Sequence, residues 1–317
     1  MELNYQKSGQ KPSFTNKSIP NNSSSQYLVG EKIRSLFPTS TIKKILLVNP
    51  PDVHAEKFSF DVAKRGRSTN YPPYGLMVIA NFLSLVDVTP AIINLNHLVL
   101  KEIEKYDNKE FFDFDSIWQD KLKKSIQLNK PDMIAMSCMF TLGHKSLKMV
   151  CSYAKQFNIP IAIGGVHVTN DINRVLKDIP CVDFAFLGEA GLSLQTFVKF
   201  VREQEEADNL TQIAILEDDV IKLPSCSRFP EEEMLDMQPA FDLLPEISEY
   251  SRIGKIGSFY WTLESDEAIS TVISNYGCRA ACSFCSVRNF NGKGVRQRSV
   301  SSVVDELQYQ NENFGIK

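Results

Sequence analysis

From Lys43 to about Val201 the chain alternates two kinds of apolar pattern. One is a short continuous run: Ile45-Leu46-Leu47-Val48, Ala91-Ile92-Ile93-Asn94-Leu95, Met133-Ile134-Ala135-Met136-Ser137, Ile159-Pro160-Ile161-Ala162-Ile163 and Val182-Asp183-Phe184-Ala185-Phe186-Leu187. The other places apolar residues three and four apart: Leu76, Ile79, Ala80 and Leu83; Trp118 to Leu128; Leu147, Val150, Cys151, Ala154 and Phe157; Ile172 to Lys177; Leu194, Phe197, Val198 and Val201. The runs predict buried strands and the spaced sets predict helices. Near-continuous apolar strands suit a sheet covered on both faces. Five such strands alternating with helices predict an α/β domain over residues 43–205, a Rossmann-like five-stranded parallel sheet. The acidic and aromatic stretch from Lys101 to Asp115 reads as an insertion.

Outside that domain the pattern changes. Residues 1–40 are rich in Asn, Ser, Lys, Gln and Pro and predict a disordered polar tail. Residues 206–268 read as a hairpin, Gln212 to Leu223, and an ordered linker rich in Pro, Glu and Met. Residues 269–317 open on a β-rich run ending at Tyr276, continue into a cysteine-containing loop, and close on a helix marked by Val300, Val303, Val304 and Leu307, with Ser299 as its N-cap.

In an open parallel sheet, ligands sit beyond the carboxyl ends of the strands. The unusual residues of this chain cluster there: Asn49, Pro50, Ser137, Gly164, Gly165, His167, Thr169, Gly188 and Glu189. Glycine lets a backbone approach a ligand closely, and it also simply permits tight strand-to-helix turns; a histidine after Gly-Gly can merely cap the next helix. No G-x-G-x-x-G follows the first strand, which argues against a dinucleotide-binding domain. His54, in Asp52-Val53-His54, is expected to be a solvent-exposed loop histidine rather than a metal ligand.

Composition narrows the classes. The net charge is −3 with 23% charged residues, so no basic excess points to nucleic acid. No apolar run approaches the roughly 18 residues of a membrane span, and the N-terminus has no apolar core of a secretory signal. A cytoplasmic protein is the expectation. Of the seven cysteines, Cys138, Cys151, Cys181 and Cys226 are scattered, whereas Cys278, Cys282 and Cys285 crowd into one loop. That distribution is a poor disulfide framework and a good ligand set for a soft metal centre, an iron–sulfur cluster or zinc. Three protein ligands leave one coordination site open, as a catalytic centre requires.

The Cys278-Arg279-Ala280-Ala281-Cys282-Ser283-Phe284-Cys285 loop resembles that of the radical SAM superfamily. The stretches LLVNPP, YPPYGLMVIANFL, PDMIAMSCM, IPIAIGGVHVT and VDFAFLGEAG, in that order, resemble the cobalamin-binding domain that precedes radical SAM barrels. PAFDLLP and RQRSVSSVVDEL resemble that family's linker and first barrel helix. The resemblance implies a [4Fe–4S] cluster on Cys278, Cys282 and Cys285, with S-adenosylmethionine on the fourth iron, Phe284 near its adenine, and one-electron cleavage to a 5′-deoxyadenosyl radical. It places cobalamin against the nine strand-end positions named above and implies methyl transfer to an unreactive carbon. An electron donor such as flavodoxin or ferredoxin, and a small-molecule or natural-product substrate, would be the partners. Ala190-Gly191 departs from the Gly-Glu more often seen there, which weakens a second acidic role. A (β/α)₈ barrel needs about 200 residues. Only about 30 follow the loop, so the expectation is a fragment, or a split protein completed by another chain, without turnover alone. The alternative is a non-catalytic cobalamin-binding protein whose cysteine loop is vestigial or binds zinc.

Overall fold

The computed structural model describes residues 22–224, 227–256 and 267–317. Cys226 and residues 1–21 lie outside the described residues. In chain order the elements are α1 (Asn22–Leu36), β1 (Lys44–Asn49), α2 (Phe60–Lys64), α3 (Tyr74–Ser84), β2 (Thr89–Asn94), α4 (Leu95–Glu102), α5 (Phe114–Asn129), β3 (Met133–Ser137), α6 (His144–Ala154), β4 (Ile161–Gly164), α7 (Val166–Asn170), α8 (Ile172–Asp178), β5 (Phe184–Phe186) and α9 (Gly191–Val201). There follow β6 (Ile213–Glu217), β7 (Val220–Lys222), α10 (Glu232–Leu235), α11 (Tyr250–Ile253), β8 (Asn275–Cys278), α12 (Val287–Asn291), β9 (Gly294–Gln297) and α13 (Val300–Phe314).

The main sheet has the order β2-β1-β3-β4-β5-β6-β7. Its first five strands are parallel, in register Leu46 to Ala91 and Leu46 to Ile134 on either side of β1. Successive side chains of a strand point to opposite faces. Ile45 and Leu47 therefore join one core, with Phe184, Phe186 and Phe197, beneath α1, α3 and α9. Leu46 and Val48 join the other, with Ile134, Ile163, Trp118 and Leu147, beneath α4, α5 and α6. Two cores on one sheet explain why the strands read as continuous apolar runs.

Three expectations need correction. Part of the supposed disordered tail is helix α1: Val29, Ile33 and Phe37, at a four-residue spacing, are buried. Gly30 brings α1 within reach of Phe200, where a Cβ would sit 3.1 Å from the ring. A polar composition averaged over the segment hid this amphipathic stripe. Second, the sheet continues past residue 205. The predicted hairpin exists, with Asp218 and Asp219 both at positive φ in its turn, and β6 pairs antiparallel with β5, so the sheet has seven strands. Third, the strand expected up to Tyr276 is confined to β8, and β8 pairs antiparallel with β9 rather than opening a plain strand–loop–helix unit. Gly277 and Gly294, both at positive φ, let the two strands close on each other. The N-cap is as expected: the Ser299 hydroxyl accepts from Ser302 N at 3.1 Å.

The carboxyl-terminal segment docks through a buried polar cluster. Arg298 and Glu306 form an ion pair whose side chains are 1% and 0% exposed. Tyr74 Oη, at the start of α3, donates to Glu306 Oε2 at 3.0 Å, and Arg298 Nη1 donates to Ile273 O at 3.1 Å. Among the described residues no helix is long and apolar enough to cross a membrane.

Candidate functional site

The strand order reverses direction between β1 and β3, the topological switch point at which doubly wound sheets bind ligands. The connection after β1 leaves toward β2 and the one after β3 toward β4, so their tips diverge. Asn49 and Pro50 end β1 and Ser137 ends β3, so the sequence-predicted positions flank this crevice. Asn49 Nδ2 donates to Asn94 Oδ1 at 3.0 Å, tying the tips of β1 and β2 together. Beyond Ser137, Met139, Phe140 and Leu142 are exposed. Three large apolar side chains in solvent on one strand-end loop mark a contact surface. The sequence reading missed them because a strand-end run of Met, Phe and Leu looks like ordinary core.

Gly164 and Gly165 follow on β4. Gly165 sits at φ 103°, and a Cβ there would lie 2.5 Å from Cys138 O. The next residues fold this backbone tightly: His167 N donates to Cys138 O, Thr169 Oγ1 donates to Gly165 O at 2.9 Å and accepts from Gly188 N at 2.9 Å. Gly164, Gly165, Thr169 and Gly188 thus form one cluster at the ends of β4 and β5. The His167 ring is buried and hydrogen-bonded through both nitrogens, to Thr141 and to His144. Burial, then the neighbouring His144, holds its pKa below the usual histidine range.

Glu189 faces another way. Its carboxylate accepts from Arg296 Nη2 at 2.5 Å and from Asn291 Nδ2 at 2.6 Å. Asn289 Nδ2 donates to Asn170 Oδ1 at 3.1 Å, and a Cβ on Gly188 would meet Phe290 O. Helix α12 and strand β9, which follow the cysteine loop, therefore rest on the carboxyl ends of β4 and β5.

Cys278 ends β8 and is half-buried, whereas Cys282 and Cys285 are exposed; all three are free thiols. Cys285 N donates to Cys282 O at 3.2 Å, a tight turn. Among the described residues no group of three or more His, Cys, Asp or Glu side chains converges to hold a metal, so the three thiols share a loop without meeting. As a donor set they fit a soft metal centre: three accessible, unpaired sulfurs in eight residues of chain. Phe284 between them is 91% exposed.

Two further groups stand near the switch point. Asp52, just past β1, has its carboxyl pushed up to about 6 by burial, against the Thr69 hydroxyl that donates to it at 3.1 Å. Burial, then the nearby Asp52, pushes the Cys138 thiol up to about 12, so it stays protonated. His54 is not the solvent-exposed histidine expected: its side chain is only 11% exposed, and its Nδ1 has no hydrogen-bond partner, lying 3.8 Å from Glu56 Oε2. It stands as the N-cap of the short turn at Ala55–Lys57.

Residues 63–198 match the family model of the B12 binding domain. The matched segment lies within the α/β domain described above. The resemblance to cobalamin-binding radical SAM proteins is borne out by similarity beyond that domain. An uncharacterized methyltransferase of Pyrococcus horikoshii is 24% identical over 283 residues, 87% of this chain and 52% of that protein. The cytidylyl-2-hydroxyethylphosphonate methyltransferase of Streptomyces wedmorensis is 26% identical over 302 residues, 88% of this chain and 54% of that protein. The chain thus spans about half the length of these curated relatives. In fold it is similar to the radical S-adenosylmethionine methyltransferase TsrM from Kitasatospora setae, solved with cobalamin and a [4Fe-4S] cluster bound. That likeness has a TM-score of 0.56 at 15% identity and covers 86% of this chain and 46% of that one. It is also similar to the cobalamin-dependent S-adenosylmethionine radical enzyme OxsB, with a TM-score of 0.60 at 16% identity, over 89% of this chain and 34% of that one.

Proposed function

We propose that this chain binds cobalamin at the β1/β3 switch point and a [4Fe–4S] cluster on Cys278, Cys282 and Cys285, as part of a radical SAM methyltransferase. The observation that carries this reading is the seating of α12 and β9 on the ends of β4 and β5, held by the Glu189–Arg296 ion pair. It brings the segment with the thiols against the strand-tip face of the B12 binding domain.

A corrin is broad, flat and apolar in its faces. The exposed Met139, Phe140 and Leu142 offer apolar area, and the Gly164-Gly165 backbone admits close approach. Asn49, Thr169 and Gly188 keep the strand tips in place through the hydrogen bonds described, and Pro50, Ser137 and the buried His167 would stand near the bound cobalamin. Cys278, Cys282 and Cys285 would hold the cluster, and Phe284 would cover bound S-adenosylmethionine. When bound, the cluster supplies one electron to S-adenosylmethionine and the cobalamin carries the methyl group; the hard chemistry is theirs. The chain's part is to fix their separation and exclude water. An electron donor of the flavodoxin or ferredoxin kind, a small-molecule substrate and further barrel-forming chain complete the proposal. Val300, Val304 and Leu307 on α13 expose the apolar face that such chain would cover. The cytoplasm, where thiols stay reduced, suits these free cysteines.

The test is anaerobic reconstitution with iron and sulfide, alongside equilibrium dialysis against cobalamin. The reading requires a visible cluster absorbance that Cys282→Ala abolishes, and stoichiometric cobalamin. Cobalamin without iron would favour a cobalamin carrier over a radical enzyme, and neither would end the proposal.

A further inference from the structure

Thr141, His167, His144 and Asp178 form a single hydrogen-bonded row. Thr141 Oγ1 lies 3.3 Å from His167 Nδ1, His167 Nε2 lies 2.9 Å from His144 Nδ1, and His144 Nε2 lies 2.8 Å from Asp178 Oδ2. The two imidazoles are perpendicular, at 87°, so the short contact is an edge-on hydrogen bond and not a stack. Both ends of the row reach solvent. Thr141 is exposed on the loop after β3, between the exposed Phe140 and Leu142. Asp178 ends α8 and opens on a cleft of about 680 Å³ beside Trp118 and Tyr153. Both histidines between them are buried.

The carboxylate sets the direction of every bond. Lys148 Nζ donates to Asp178 Oδ1 at 2.7 Å, and this and His144 hold the Asp178 carboxyl below its ordinary range. An ionised carboxylate only accepts, so His144 carries its proton on Nε2. A neutral imidazole has one N–H, so His144 Nδ1 accepts from His167 Nε2. His167 Nδ1 is then left as an acceptor, and the Thr141 hydroxyl donates to it. The lone pairs of Thr141 face outward, toward the strand tips.

One added proton reverses the row. The charge sits at the carboxylate end of the row, where His144 Nε2 lies 2.8 Å from Asp178 Oδ2, and burial disfavours it on His167. His144 then donates from both nitrogens, His167 Nε2 accepts, and the His167 proton moves to Nδ1. His167 now donates to Thr141 Oγ1, and the hydroxyl hydrogen of Thr141 is released outward. The proton count balances: one enters at His167 Nδ1 as one crosses from His167 to His144. The other charges about the row are Asp171 and Arg174 of the α7–α8 corner, Lys148 at Asp178, and Lys145, which is paired with Glu56.

We propose that Thr141 is a ligand-facing positioning residue whose hydroxyl is switched from acceptor to donor by protonation of the His144–His167 pair. Its ligand is the amide-fringed cobalamin of the preceding section, so the assignment rests on that reading.

The full chain, labelled with ¹⁵N at its four histidines, tests the row. Near about pH 8 both His144 and His167 should carry hydrogen on Nε2; toward about pH 5 the pair should take up one proton, with His167 changing to Nδ1–H. His167 already protonated on Nδ1 at the higher pH, or two independent protonations, overturns the proposal. Asp178→Asn should shift the pair's single titration to lower pH. Equilibrium dialysis with cyanocobalamin tests the ligand end. Affinity should change roughly threefold to tenfold across that pH range, the worth of one hydrogen bond. It should be flat in Thr141→Val and restored in Thr141→Ser. A pH-independent wild type overturns the switch. A chain that binds no cobalamin at either pH defeats the ligand assignment, and nitrogen spectra of the expected form then locate the fault in the cobalamin reading and not in the row.

Discussion

Replacing Glu306 by Gln changes one oxygen to an amide and leaves shape intact, yet it strands a guanidinium. Arg298 is 1% exposed at its side chain, and its donors are spent on Glu306, Tyr74 Oη, Ile273 O and Ser302 Oγ. Burial drives the Glu306 carboxyl up while the Arg298 bond and charge pull it down, so the carboxylate persists because the cation is there. Removing one partner of such a pair costs about 3–5 kcal/mol, since the remaining charge stays desolvated. For a chain of this size that corresponds to a fall in Tm of roughly 4–8 °C. Urea unfolding followed by far-ultraviolet circular dichroism measures the loss directly, with a lower midpoint at an unchanged slope. The double variant Arg298→Met, Glu306→Leu should recover most of it, because an apolar pair of similar volume carries no uncompensated charge. A single-variant loss below about 1 kcal/mol, or a double variant as unstable as the single, would refute the argument that this pair locks α13 onto α3.

Asp52→Asn should act in the opposite direction and depend on pH. The folded carboxyl, at about 6 against an ordinary 3.8, binds its proton more tightly than the unfolded chain does, so stability falls as pH rises through that window. The variant should therefore be more stable than wild type by roughly 2–3 kcal/mol at neutral pH and equal to it below about pH 4, measured by urea midpoints across that range. Gly165→Ala should cost on the order of 1–3 kcal/mol, from a backbone at φ 103° and a methyl forced against Cys138 O; a thermal melt indistinguishable from wild type would contradict the close approach. Ser299→Ala should lose about 1 kcal/mol by removing the cap at Ser302 N, read as a lower urea midpoint with the cysteine loop's metal content unchanged.

The sequence alone determined the layer structure of the α/β domain. A strand covered on both faces must be apolar at every position, and a helix on that sheet must be apolar every three or four residues; Ile45 to Val48 and Leu147 to Ala154 could hardly be anything else. It also showed three thiols crowded into one loop, because a spacing within eight residues is visible without a fold. What only the tertiary structure decided are the relations between distant segments. The hairpin at Ile213–Lys222 looks self-contained until β6 is seen beside β5. Helix α1 looks like tail until Ile33 meets its core. Glu189 reads as a strand-tip residue, and its pairing with Arg296, 107 residues later, is visible only in the fold. His144 looks unremarkable and His167 looks like a cap, and they become one proton row only because β3 and β4 are neighbours. Periodicity reports the environment of each residue along its own element. Charge pairing and proton direction depend on which elements the folded chain sets side by side.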